Sequence, residues 1–169
     1  MSMPSTSHLR LAVVAAAACL LSALPWSAAQ AATTTSSFTV TANVQVTCYI
    51  SATNLNFGAY TGTQVDVTST LSALCSPGTP YSVGLSAGTS TGATVTSRKM
   101  TGPGTELLAY SLSQDAGHSI NWGDTVGTDT ESGTGNGTIQ TLTVYGKLPQ
   151  AQFLGPGAYS DTITVTLTF

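Results

Sequence analysis

The sequence predicts an all-β, antiparallel sandwich. Three observations lead there. Apolar and polar residues alternate with period two along several stretches, and Gly- and Pro-containing turn signals separate those stretches. Beyond residue 31 the composition is dominated by Thr, Ser, Gly, Ala and Val, with very few Lys, Glu or Arg. Such material suits strands joined by tight turns and is poor for amphipathic helices.

The chain opens with a segment to be set apart from that sandwich. Met1 to Arg10 is a short polar start, Leu11 to Leu24 is apolar, and Ala29-Gln30-Ala31 fits a small-x-small cleavage site. Residues 1–31 therefore read as a secretory signal peptide. A membrane anchor needs about twenty apolar residues, and Pro25 closes this run sooner.

The first strand pattern is unusually long. Phe38, Val40, Ala42, Val44, Val46 and Cys48 fill the even positions, and Thr39, Thr41, Asn43, Gln45 and Thr47 the odd ones. Extended from Phe38 to Cys48 it would reach about 36 Å, roughly twice a typical strand. Enough chain is present for two separate pairings. Five further strands are expected: Val65 to Cys75, Tyr81 to Leu85, Leu107 to Leu112, Ile139 to Leu148, and Tyr159 to Phe169. Turn signals divide them at Tyr60-Thr61-Gly62, Ser76-Pro77-Gly78, Thr101-Gly102-Pro103-Gly104 and Gly155-Pro156-Gly157.

The count is about six, and an immunoglobulin-type sandwich needs at least seven, which leaves one strand position empty. The last stretch says where. Tyr159, Ile163, Val165, Leu167 and Phe169 share one face, with Ser and Thr on the other, and so regular a strand is expected in a sheet interior with partners on both sides. Nothing follows Phe169 to be the second partner. A bare edge there would expose backbone groups and an apolar face.

The surplus at the start and the shortage at the end suggest each other, because an extended peptide can complete a neighbour's sheet by strand addition. A strand folding back to complete its own sheet would remove the edge equally well. On the residues alone these two readings are equal.

A resemblance separates them. Cys48, Leu55-Asn56-Phe57-Gly58-Ala59-Tyr60, Cys75, Asn121-Trp122-Gly123, Leu142-Thr143-Val144-Tyr145-Gly146-Lys147-Leu148-Pro149 and Gly157-Ala158-Tyr159-Ser160-Asp161-Thr162-Ile163-Thr164-Val165-Thr166 resemble the spore coat protein U family. Its members include subunits of archaic, Csu-like chaperone-usher pili. The resemblance implies an incomplete immunoglobulin-like β-sandwich, held in the periplasm by a PapD-like chaperone. It also implies polymerisation through an outer-membrane usher by donor-strand exchange. It divides the chain into a signal peptide (1–31), a donor-strand extension (32–44) and the pilin domain (45–169). The donor residues would be Phe38, Val40, Ala42 and Val44; the acceptor groove would lie beside Tyr159, Ile163, Val165, Leu167 and Phe169. Cys48 and Cys75 would be the family's disulfide. A tip adhesin of such pili would carry a further receptor-binding domain, so a shaft or minor subunit is expected, with adhesion and biofilm formation as its setting.

Other function classes find little support. After residue 31, Arg98, Lys99 and Lys147 stand against seven acidic residues, a net charge of −4, and the basic footprint of a nucleic-acid binder is missing. With Cys19 inside the signal peptide, Cys48 and Cys75 form an even pair in an exported chain, which itself suggests a disulfide. No metal site or cofactor is expected, since His118 is the only histidine left to join them.

Gly84-Leu85-Ser86-Ala87-Gly88 matches a hydrolase nucleophile elbow, but that elbow needs a following helix, and Thr89 to Thr96 is Thr/Ser/Gly-rich. His118 beside Asp115 and Ser119 is expected to be an exposed loop histidine, because triad members converge from separate elements. Asp124, Asp129 and Glu131 have no EF-hand spacing and read as turn acids. Trp122 is expected to pack over a sandwich edge in preference to stacking on a sugar. The expected function is structural. The alternative is a self-completed secreted sandwich acting as a monomeric coat or carbohydrate-binding protein.

Overall fold

The computed structural model describes residues 30–169. All but the last two residues of the expected signal peptide lie outside them. The chain divides into two units, residues 1–41 and 42–169. In the first, the described residues carry no helix or strand and are exposed, Phe38 at 88% and Val40 at 81%.

The second unit holds eight strands: β1 (Cys48–Ala52), β2 (Val65–Cys75), β3 (Pro80–Leu85), β4 (Arg98–Thr101), β5 (Leu107–Ser113), β6 (Glu131–Thr134), β7 (Gln140–Leu148) and β8 (Val165–Thr168). They form two antiparallel sheets, a five-stranded one in the order β1-β2-β7-β5-β4 and a three-stranded one in the order β6-β3-β8. Among the described residues the only helical segment is the single 3₁₀ turn Pro103–Thr105.

The alternation reading located β2, β3, β5 and β7 to within a residue or so at each end. It missed β4 and β6. Arg98-Lys99-Met100-Thr101 and Glu131-Ser132-Gly133-Thr134 are four residues each and lack alternation, and they are strands because β5 and β3 supply ladders for them. Pairing, and no property of their own side chains, makes them extended.

Inward-facing residues of the two sheets meet in one core. Leu71, Ala73 and Cys75 of β2, Tyr81, Val83 and Leu85 of β3, Leu108, Tyr110 and Leu112 of β5, and Val144 and Leu148 of β7 are buried together with Trp122. Removing this much apolar surface from water is the main stabilising term. Cys48 and Cys75 face each other in the β1–β2 register and are joined as a disulfide. Trp122 lies inside the core and not over its rim, with its indole Nε1 donating to the Val83 carbonyl at 2.8 Å.

Two expected strands are shorter than the alternation suggested. No strand precedes Cys48 in the second unit, where Val44 is 90% exposed, because residues before Thr47 meet no neighbouring ladder. At the other end only Val165–Thr168 pairs with β3, and β8 lies at a sheet edge with one partner. The sequence reading placed this strand in a sheet interior. The alternation of its side chains reports a half-buried face, and says nothing of whether a second strand is present.

Candidate functional site

The segment from Tyr159 to Phe169 keeps its two faces although only part of it is laddered. Tyr159, Ile163, Val165 and Leu167 are half-buried against the core, Asp161 is half-buried in the same row, the residues of the other face (Ser160, Thr162, Thr164, Thr166 and Thr168) are exposed, and Phe169 is exposed at the chain end. Three attachments hold the part before β8. Ser160 and Thr101 exchange backbone hydrogen bonds, which ties the segment to the edge of the larger sheet. Ser86 N donates to Thr164 O at 3.0 Å, and Thr164 N donates to Ser86 Oγ at 2.9 Å. Between these, the Asp161 carboxylate accepts from Thr89 N, Thr89 Oγ1, Tyr110 OH and Thr162 N.

Facing this segment across an open groove is the stretch Ala52 to Phe57, which continues from the free edge of β1. Leu55 lies directly over Gly146 of β7, where an added Cβ would come within 2.7 Å of Leu55 Cδ1. Glycine at 146 therefore lets the wall approach the sheet. Phe57 packs edge-on against Tyr110, ring centroids 6.0 Å apart. Leu71, Leu85, Leu112 and Val144 form the floor of a cavity of about 530 Å³.

A second cavity of about 650 Å³ shares Leu55, Asn56, Phe57, Met100 and Tyr159 with the first, so the two adjoin. Its far wall is the connection Gln152 to Ala158. Tyr60 OH donates to Pro149 O at 2.6 Å, and Gln152 exchanges hydrogen bonds with the backbone of Ala109, which fixes that connection to β5. Tyr159 OH donates to Glu106 Oε2 and its ring rests on Gly102, where no Cβ could fit. The hydrogen bond to the Glu106 carboxylate, with burial, pushes the Tyr159 phenol up to about 12.

The ionisable groups beside the groove are held by hydrogen bonds. Burial raises the Asp161 carboxyl, but the hydrogen bonds from Thr89, Tyr110 and Thr162 together outweigh it and hold the group below the usual aspartate range. Glu106 is held low by the Tyr159 hydroxyl and by Gly155 N. Burial, with the adjacent Asp161 carboxylate, raises the Tyr110 phenol.

Arg98 has a structural place behind the groove that the sequence did not signal. It is completely buried and donates to four carbonyls: Nε to Ser86, Nη1 to Val95, and Nη2 to Leu85 and Trp122, at 2.7–2.9 Å. Its burial lowers its pKa, which the surrounding acids oppose. One guanidinium thus joins the end of β3, the loop between β3 and β4, and Trp122 in the connection between β5 and β6.

The residues weighed as chemistry are dispersed. Ser86 follows the end of β3 with no helix after it, and its hydroxyl is engaged by Thr164 N and Gly88 N. His118 is not the exposed histidine expected from its polar loop. Its side chain is only 11% exposed, with Nε2 3.4 Å from Asp66 Oδ1. A positive φ of 55° at His118, in a turn capped by the Asp115 carboxylate, directs the ring back onto β2. Asp129 Oδ1 accepts from Thr125 N in ordinary turn chemistry. Among the described residues no three His, Cys, Asp or Glu side chains gather as a metal site.

Comparison with known proteins agrees with this architecture. The Spore Coat Protein U domain model matches residues 34–166. "Protein U" of Myxococcus xanthus is 34% identical over 173 residues, covering 92% of this chain and 96% of that protein. A chain of the CsuC-CsuE chaperone-tip adhesion subunit pre-assembly complex, from the archaic chaperone-usher Csu pili of Acinetobacter baumannii, is similar in structure with a TM-score of 0.57 and 26% identity. That likeness covers 75% of this chain and 40% of the other, so this chain spans less than half of its structural neighbour. With the family model covering most of its length, the chain belongs to the Spore Coat Protein U domain family.

Proposed function

We propose that this chain is a structural subunit of a chaperone-usher surface pilus, with no catalytic role. One observation carries the reading. An open groove runs beside the edge strand β8, while Phe38, Val40 and Val44, alternate residues of one extended stretch, have their apolar side chains exposed. Each feature is costly in water alone, and each supplies what the other lacks.

On this reading residues 1–31 direct export and are removed, residues 32–44 are the donor extension, and 45–169 form the acceptor domain. Phe38, Val40, Ala42 and Val44 of one subunit enter the groove beside Tyr159, Ile163, Val165, Leu167 and Phe169 of the next. A PapD-like periplasmic chaperone occupies the groove in transit, an outer-membrane usher exchanges it for the donor, and the product is a cell-surface fibre serving adhesion and biofilm formation. The larger donor side chains contribute about 1.5–3 kcal/mol each on burial, so the gross gain approaches about 10 kcal/mol before ordering costs. Backbone pairing along β8 adds to it.

Val40→Asp or Val44→Asp tests the reading, because an unpaired charge cannot follow the donor onto a floor of Leu71, Leu85, Leu112 and Val144. Assembly is expected to be lost while capture by the chaperone persists. Fibres at wild-type levels in either variant would overturn the proposal.

A further inference from the structure

The inward row of the wall from Tyr159 to Val165 has one charged step. Along the inward row Tyr159, Asp161, Ile163, Val165, the second member is a carboxylate that lines the cavity with its neighbours. It is also immobilised. Oδ1 accepts from Thr89 N at 2.7 Å, Thr162 N at 2.8 Å and Thr89 Oγ1 at 3.0 Å, and Oδ2 accepts from Tyr110 OH at 2.7 Å. A group held by four donors does not turn aside for a bulky side chain. Pressing a branched hydrocarbon onto it would displace those donors and remove its remaining water. A strand lying in this groove therefore has to bring a small residue to this point.

The exposed row of the same chain contains one. Among Phe38, Val40, Ala42 and Val44, only Ala42 carries no more than a methyl group. Residues 32–47 carry no charged side chain, so the segment brings no cation to draw Asp161 from its donors and no anion to repel it. We propose that Asp161 sets the register of the incoming strand, and that the strand is residues 36–44 of a second copy of this chain, antiparallel to Tyr159–Leu167 with Ala42 beside Asp161. This rests on the reading of the groove given above and adds to it the partner and the alignment.

That alignment seats the whole row. Val44 lies beside Tyr159, Val40 beside Ile163, Phe38 beside Val165 and Ser36 beside Leu167, as cross-strand neighbours on one face. Residues 45–47 remain to lead into the donor's own β1 at Cys48. A parallel strand with the same central pair fails, because Cys48 would have to lie beside Leu167 while it is bonded to Cys75 in its own subunit. A slip of two residues in either direction puts Val40 or Val44 against the carboxylate. Register is thus specified by one small side chain meeting one fixed polar group.

The test measures fibre mass in exporting cells whose only copy of the gene carries Ala42→Leu, Val40→Leu, or Ala42→Leu with Asp161→Ser. Overpacking at a tight position costs enough to shift an equilibrium by about tenfold or more. Ala42→Leu is expected to lose at least about tenfold more assembly than Val40→Leu. Asp161→Ser, which shortens the group beneath, is expected to recover most of that loss, a non-additivity expected only of residues in contact. Equal losses for the two leucine variants, or no recovery in the double variant, overturns the register. Should chains with Asp161→Ser fail to accumulate, the contrast between Ala42→Leu and Val40→Leu decides alone. Normal fibres from Val40→Asp would instead bring down the groove reading itself, so the two failures are separable.

Discussion

Arg98 shows how much of this fold hangs on a single side chain. Four carbonyls from three parts of the chain converge on a buried guanidinium, and each loses that donor if it is removed. Arg98→Ala is expected to destabilise the domain by about 3–5 kcal/mol, read as a lower denaturant midpoint of the domain. Arg98→Lys should recover little of this, because one ammonium cannot span the fork that reaches Leu85, Ser86 and Trp122 together. The disulfide is the other residue-scale anchor. Cys48→Ser with Cys75→Ser is expected to cost about 2–5 kcal/mol in the same measurement. The cysteine pair was legible in the sequence from its even count in an exported chain. Arg98 was not, because one Arg-Lys doublet in a Thr- and Ser-rich stretch looks the same whether it faces solvent or core. Asp161 did leave a signal, since it has the parity of Tyr159 and Ile163 in an otherwise apolar row.

Among the elements, the segment from Tyr159 to Thr168 carries the most consequence. Its attachment is largely polar. Asp161 and Glu106 are both held below their ordinary carboxyl values by hydrogen bonds, so each stabilises the folded state above its unfolded pKa. Their contribution is lost as pH falls through the depressed folded values. Stability measured by denaturant is therefore expected to decline steadily below about pH 4, the ordinary carboxyl range. In Asp161→Asn the domain should be weaker at neutral pH and decline less on acidification. An unchanged acid slope in that variant would show that the tether does not depend on the ionised carboxylate. Strands with a full alternating face, such as β2 and β7, were legible in the sequence because burial on one side imposes period two. Strands β4 and β6 were not, since their extended form is induced by neighbours and leaves no periodic trace. For the same reason the alternation of Phe38 to Thr47 did not by itself make a strand there: side-chain pattern describes a face, and a ladder needs a partner.

For the whole molecule the fold class followed from composition and alternation, but the expected count of six strands fell short of the eight observed, so the case for a place for one more strand rests on the open groove beside β8 and not on the count. What the residues could not decide was whether the vacancy is filled from within or from a neighbour, because either removes the bare edge. Removal of residues 33–43 distinguishes these. A subunit that takes its neighbour's strand should still be captured by its chaperone after the deletion, yet be unable to cap the next subunit. A self-completed sandwich should instead unfold or lose solubility. The most direct measurement is an electron cryomicroscopy map of the assembled chain, resolved well enough to trace residues 36 to 47 into β1. Continuous density leading from the β1 strand of one subunit into the groove beside Tyr159–Phe169 of the next is the expected result. Density that turns back into the groove of its own subunit, or a groove left empty in the assembly, would contradict the account.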